Sequence, residues 1–485
     1  MWSDQVELQA KGVATASSFN RSEELHRQDA ANQVGTDARE QSETVASDAD
    51  SAGERLHVEA GKLAAGSGCA AGDPAVTERG STFMVGGVAK FVRGIYFSDA
   101  FCRKMTQSIT FLWGVVGMIL PSRSYGDTDF ITGMRALAVL AVLLIHAGGA
   151  GFRAFGEAGN NFVDFGKAGV YAFFVISGFS VAQSYVASTG FLNYLNKRFW
   201  RIVPLYYFWI FVTVTLSATA VYWQERFGVK IDFYNVLMHL SFLSVFDYRV
   251  TNSILGVEWS ISIEFFWYLF VPLLVFLSRR KLLILVLIFF SAKVHIYAEK
   301  YGYKLPIPAD DAALFVYWSP VPFLFSFCLG IAAYRARGLF SQSGRLGNLV
   351  FLVGTLLLVV YPFELDRMNN FFRSDFFFMS YLTFAMIVFG TSKSFLFRVV
   401  LTNRAVLFYG TISYGVYLCH MPIMTLLQKV FPEIAGSEFL YFIVVVLACS
   451  TVSLLTYYAI ERPGGEFGKK FGALQVFAKQ EASAN

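Results

Sequence analysis

From about residue 130 to 460 the chain repeats a single motif, an apolar run of roughly 20 residues ended by a short polar or basic loop. A run of that length matches a hydrocarbon core about 30 Å thick. In lipid the backbone must satisfy its own hydrogen bonds, which leaves helices or closed barrels as spanning structures. No period-two alternation supports a barrel. The chain is 55% hydrophobic and only 15% charged, too few charges to cover a soluble protein of 485 residues. The expected fold is all-α: a polytopic integral membrane protein of about ten transmembrane helices. The spans fall near 131–150, 166–186, 202–222, 259–277, 282–297, 314–334, 348–362, 375–391, 405–427 and 439–460. Residues 233–246 read as a re-entrant or interfacial helix.

The loops alternate in charge. Five of them carry Lys197, Arg198 and Arg201; Arg279, Arg280 and Lys281; Arg335, Arg337 and Arg345; Lys393, Arg398 and Arg404; and Arg462, Lys469 and Lys470. The opposite set is longer and poorer in cations. The positive-inside rule puts the cationic set in the cytoplasm, and an even number of spans puts both termini there, in a cell inner membrane.

Outside this region the pattern changes. Residues 1–80 hold 14 acidic and 7 basic side chains in a chain of net charge +5. With few aromatics to bury, residues 1–83 are expected to be a disordered tail. Residues 84–128, including "FLWGVVGMIL", are expected to lie along the membrane surface. Residues 466–485 form a cytoplasmic tail, and no cleavable signal peptide is visible. Cys69, Cys102, Cys328, Cys419 and Cys449 lack ligand spacing and read as small packing residues; no metal is expected. No nucleic-acid partner is expected, and the oligomeric state is left open.

Ionisable residues inside the spans point to chemistry, because lipid excludes them unless they face a polar path. Arg135 and His146 in "MRALAVLAVLLIH" are eleven residues apart. At about 100° and 1.5 Å per residue they share one helix face and stand roughly 16 Å apart. Glu264 lies in the aromatic run "VEWSISIEFFWYLF" and is the expected partner of His146, giving a basic nitrogen of fixed tautomer. Arg198 and Arg201 are either membrane anchors or guanidinium forks for phosphates. Ser260 and Ser262 are candidate oxyanion donors, His420 is read as structural, His239 and His295 as irrelevant to chemistry, and Glu461-Arg462-Pro463 as a helix stop.

Several stretches together resemble the membrane acyltransferase-3 family. They are the Arg135–His146 spacing, "GVYAFFVISGFSVAQS" at 169–184, "KRFWRIVPLYY" at 197–207, "VEWSISIEFFWYLFVPLL" at 257–274, "GTISYGVYLCHMPI" at 410–423 and "YAIERP" at 458–463. The resemblance covers about residues 129–465. It implies a ten-helix O-acyltransferase that takes an acyl group from cytoplasmic acetyl-CoA or another acyl-CoA. It further implies that His146 is the reactive residue, Glu264 a functional carboxylate, and Arg135, Arg198 and Arg201 the donor-binding residues. Members of the family mostly acetylate glycans, so the expected acceptor is a cell-surface polysaccharide or its lipid-linked precursor. Acylation of a small secreted glycolipid or metabolite, and a non-catalytic transporter or flippase, are the alternatives. Two departures are visible: Thr132-Gly133 where the family often has Asp-Gly, and Glu264-Phe265 where it often has two acidic residues. Without a C-terminal SGNH hydrolase-like domain, the stand-alone type is expected.

Overall fold

The computed structural model describes residues 126–471, apart from parts of 302–317 and the stretches 341–342 and 365–373. The expectations for residues 1–125 and for the tail beyond 471 lie outside the described residues. Among the described residues there is no β-strand. Each expected span holds one helix: α1 Asp129–His146, α2 Ala168–Val186, α3 Phe191–Thr215, α4 Trp259–Leu277, α5 Lys281–Tyr301, α6 Pro320–Phe340, α7 Gly344–Glu364, α8 Asp375–Phe389, α9 Arg404–Val430 and α10 Glu438–Thr456. Six helical stretches among the described residues are long and apolar enough to cross a membrane, those built on α1, α2, α4, α5, α7 and α10. The chain is an all-α membrane protein.

Helix α2 lies at the centre, packed against α1, α4, α6 and α8. Hydrophobic burial does little to bring helices together in lipid, so close association relies on small residues that let backbones touch. Gly178 of α2 and Gly330 of α6 form such a contact: a Cβ on Gly330 would stand 2.2 Å from the Val175 carbonyl oxygen. Gly410 of α9 packs likewise on Thr132 of α1, where a Cβ would meet the Thr132 oxygen at 2.0 Å. That second contact draws α9 against α1 and sets the two helices that later frame the site. Lipid-facing helices show the opposite character; α5 and α7 expose Leu282, Leu285, Phe289, Leu352 and Leu356.

The loop ends expected on the cationic side do meet at one end of the bundle. Arg337 pairs with Asp127 at 2.7 Å, and the Ser392 hydroxyl bonds the same carboxylate. Arg335 donates to Ser278 Oγ at 3.1 Å, and Asn196 to the Gly468 carbonyl at 2.7 Å. At the other end Lys429 reaches the Ser217 carbonyl at 2.7 Å. There the segment 221–258 forms two short helices, Val221–Phe227 and Phe233–Leu240. The second buries Asn235 and His239 and exposes Phe233, Tyr234 and Leu237, the division an interfacial helix needs.

Two expectations are corrected. Helix α3 begins at Phe191, not near 202, so Arg198 and Arg201 are helical residues rather than loop anchors. The helix also does not stop at Pro463. A π-helical turn at Tyr457–Glu461 precedes it, and helix continues to Phe471. The wider turn shifts the carbonyls that an ordinary helix would aim at residue 463, which lets proline fit.

The small-residue contact predicts that Gly330→Ala lowers the melting temperature in detergent, since overpacking costs about 1–3 kcal/mol. Gly190→Ala, where nothing lies within 4 Å of the added carbon, leaves it unchanged. Equal melting temperatures for the two variants would contradict backbone contact between α2 and α6.

Candidate active site

The polar residues that lipid should have excluded converge between α1, α2, α3, α4 and α9. Ser177 and Ser180, one turn apart on α2, organise them. Arg135 Nη2 from α1 donates to Ser180 Oγ at 2.7 Å, and Arg198 Nη2 from α3 donates to the Ser180 carbonyl at 2.6 Å. The serine hydroxyl in turn donates to the Ile176 carbonyl at 2.8 Å. Arg198 is only 8% exposed and lies beside the Tyr194 and Tyr268 rings, 6.0 and 5.8 Å from their centroids. Such placement offsets part of the cost of burying a guanidinium. Glu264 of α4 accepts hydrogen bonds from Ser177 and, at 2.5 Å, from Tyr268.

These groups line two adjacent cavities that share six wall residues and mark a passage into the bundle. A vestibule of about 660 Å³ is bounded by Lys197, Arg462, Glu466 and Lys469. A chamber of about 110 Å³ lies deeper, walled by Phe173, Phe174, Ser177, Ser260, Glu264, Tyr268 and Tyr417. Arg135, Arg198, Arg201, Gly410, Thr411 and Glu461 border both and so form the neck between them. The vestibule opens among the cations of the positive end of the bundle. The neck carries three guanidiniums against one carboxylate. The chamber wall mixes aromatic rings with serine and tyrosine hydroxyls.

His146 does not line this passage. It lies beyond the chamber, linked through α9. Tyr417, a chamber residue, has its hydroxyl 2.7 Å from Ser260 Oγ, and its ring lies 5.7 Å from that of His420. His420 Nε2 is 3.3 Å from His146 Nδ1. The tautomers follow from the neighbours. His420 Nδ1 stands 2.7 Å from the Tyr417 carbonyl and His146 Nδ1 stands 3.0 Å from the Val142 carbonyl. A carbonyl can only accept, so both Nδ1 atoms carry hydrogen. In a neutral pair, His420 Nε2 is then an acceptor facing the His146 Nδ1–H, and the His146 lone pair resides on Nε2.

The five residues singled out in the sequence are therefore divided. Arg135, Arg198, Arg201 and Glu264 share the passage. The expected partnership of Glu264 with His146 is replaced: the carboxylate is taken by Ser177 and Tyr268, hydroxyls within one helical turn of the site, and the imidazole meets His420. Ser260 faces the chamber, but Ser262 turns away to Ser244 at 3.2 Å. His295 stacks on Phe376, with 3.9 Å between centroids. His239 is more than inert: its Nε2 lies 3.1 Å from Glu258, whose oxygens also cap the backbone N–H groups of Ile254 and Val257. Sequence reasoning missed Ser180, Tyr417 and Glu461. Glu461 carried the one available signal, a carboxylate in an apolar helix, and was hidden by the proline behind it. Cys328, Cys419 and Cys449 are free and buried.

Comparison with known proteins fits this geometry. The family described as an acyltransferase domain matches residues 128–458, and a family of unknown function matches residues 1–88. The peptidoglycan O-acetyltransferase OatA of Listeria monocytogenes is 27% identical over 376 residues, covering 70% of this chain and 56% of the relative. The O-acetyltransferase OatA of Staphylococcus aureus is 21% identical over 365 residues, covering 69% and 56%. ORF330 of Acidianus two-tailed virus, named provisionally as an acetyltransferase, is 29% identical over 274 residues, covering 55% of this chain and 75% of its own. The chain thus spans about half the length of the bacterial relatives. No solved structure matches. With the family match covering residues 128–458, and so helices α1 to α10, the chain belongs to the acyltransferase-3 family of membrane acyltransferases.

Proposed function

We propose that the protein transfers an acetyl group from acetyl-CoA to a hydroxyl of a cell-surface polysaccharide or its lipid-linked precursor. One observation carries this reading: a cation-rich vestibule and a hydroxyl-lined chamber share a neck of three arginines, and Tyr417 of the chamber wall leads to the His420–His146 pair. The basic end of the bundle faces the cytoplasm of an inner membrane in this reading, where acetyl-CoA is available. The names of the bacterial relatives support acetyl transfer to an oxygen of a glycan.

Guanidiniums of Arg198 and Arg201, with Arg135 behind them, suit the phosphates of CoA. The thioester arm then extends through the neck into the chamber. The acyl end must pass Tyr417 to reach His146, which acts as general base through Nε2, the nitrogen turned away from His420, and takes the proton of an acceptor hydroxyl arriving on that side. The oxygen attacks the thioester carbonyl, the C–S bond breaks, and the imidazolium returns its proton to the departing CoA thiolate. Ser260 and Tyr417 are placed to donate to the carbonyl oxygen as it gains charge. Glu264 supplies a counter-charge to the buried arginines and is not the orienting group. That task falls to His420, whose Nε2 accepts the His146 Nδ1–H and steadies the ring when it becomes charged.

Purified His146→Ala is expected to keep the native melting temperature and acetyl-CoA affinity while losing at least about a hundredfold in kcat. Transfer at the native rate would remove His146 from the mechanism. A native protein that never releases CoA thiol from acetyl-CoA, with any glycan acceptor, would remove the enzymatic reading and favour transport. His420→Leu should lower kcat about tenfold or more with KM for acetyl-CoA unchanged, and His420→Gln, which retains an acceptor, should recover part of it. A KM effect alone would make His420 a packing residue.

A further inference from the structure

Glu461 has no part in the mechanism above, yet it occupies the neck. Its side chain is reached from both cavities, the residue is 8% exposed, and its Oε2 has no hydrogen-bond partner among the described residues. An unsatisfied buried acceptor costs about 1–3 kcal/mol, more for a charged one, so a protein gains nothing structural by holding it there. It closes the π-helical turn Tyr457–Glu461 and is the buried residue of that turn. The guanidiniums of the neck leave that oxygen unoccupied: Arg135 and Arg198 donate to Ser180, and Arg201 is exposed and lines the vestibule.

We propose that Glu461 is a binding residue for the neutral arm of the donor, accepting a hydrogen bond from an amide N–H of pantetheine where it threads the neck. The inference rests on acyl-CoA being the donor. The chemistry of the two partners explains why the neck is not purely basic. A carboxylate repels phosphate at contact distance and accepts hydrogen bonds from uncharged N–H groups. Without it, three guanidiniums would hold the phosphates in the neck itself, and the thioester would stop short of the chamber. With it, the polyanionic end is kept at the vestibule mouth of the neck, among Arg198, Arg201, Lys197 and Lys469, and the amide-bearing arm is the part favoured in the narrow segment. Glu461 thereby sets the register of the donor along the passage.

The test is equilibrium binding to the purified full-length protein in detergent, with CoA and with 3′,5′-ADP, which has phosphates but no arm. Glu461→Ala should bind CoA about tenfold more weakly and 3′,5′-ADP no more weakly than the native protein. Glu461→Gln, which retains an acceptor oxygen at the same place but not the repelling charge, should bind CoA within about threefold of native and 3′,5′-ADP no more weakly. Native CoA affinity in Glu461→Ala, a parallel loss of both probes, or a tenfold loss of CoA in Glu461→Gln would each overturn the assignment. If the native protein binds neither probe, the donor itself is wrong and the role of Glu461 falls with it. The Gln variant keeps the test decisive should the Ala variant not fold.

Discussion

Two guanidiniums meeting at one serine hold this architecture together. Arg135 of α1 and Arg198 of α3 both end on Ser180 of α2, one on its hydroxyl and one on its carbonyl. Neither charge could be left in lipid, and removing one partner of a buried charged set leaves the rest uncompensated. The three helices are therefore tied at one depth. That depth is the neck of the passage, with the water-accessible vestibule on one side and the aromatic chamber on the other. The glycine contacts do the complementary work by letting α6 and α9 close on α2 and α1 with no side chain between backbones. Polar ties and small-residue contacts together replace the hydrophobic drive that lipid removes.

The departures from the family pattern make sense within this frame. Thr132 stands where an acidic residue is common, and its carbonyl receives Gly410 of α9 while its side chain borders the vestibule. Gly133 beside it faces the Leu401 backbone, where a Cβ would stand 2.0 Å from the carbonyl oxygen. Phe265 occupies the second frequent acidic position and stacks on Phe242 with 4.2 Å between ring centroids. The position is thus given to packing, and Glu264 is left as the one carboxylate of that pair. Its neighbours are hydroxyls rather than a base, which suits a group that balances buried arginines better than one that orients an imidazole.

Much of this was legible in sequence. Segment length and apolarity located a helix in every expected span; the helical period put Arg135 and His146 on one polar path, of which Arg135 lines the passage and His146 does not. What was illegible depended on rotation and partner choice. Nothing local decides whether His146 meets Glu264 or His420; that follows from how α9 settles against α1 once Gly410 and Thr132 touch. The start of α3 was placed eleven residues late because Lys197, Arg198 and Arg201 look like a loop. In the fold Arg198 is buried against tyrosine rings, and the others line the vestibule. Glu461 was obscured for a related reason: a proline two residues later reads as an ending unless a π-helical turn comes first.

The central claim is that a donor enters from the basic end and lies along this one passage. The direct measurement is an experimental structure of the protein with a non-hydrolysable acetyl-CoA analogue. The account predicts phosphates among Arg198, Arg201 and the vestibule lysines, the arm beside Glu461, and the acyl carbonyl within hydrogen-bond reach of Ser260 or Tyr417. An analogue bound elsewhere, with the neck between Arg135 and Glu461 closed, would contradict it.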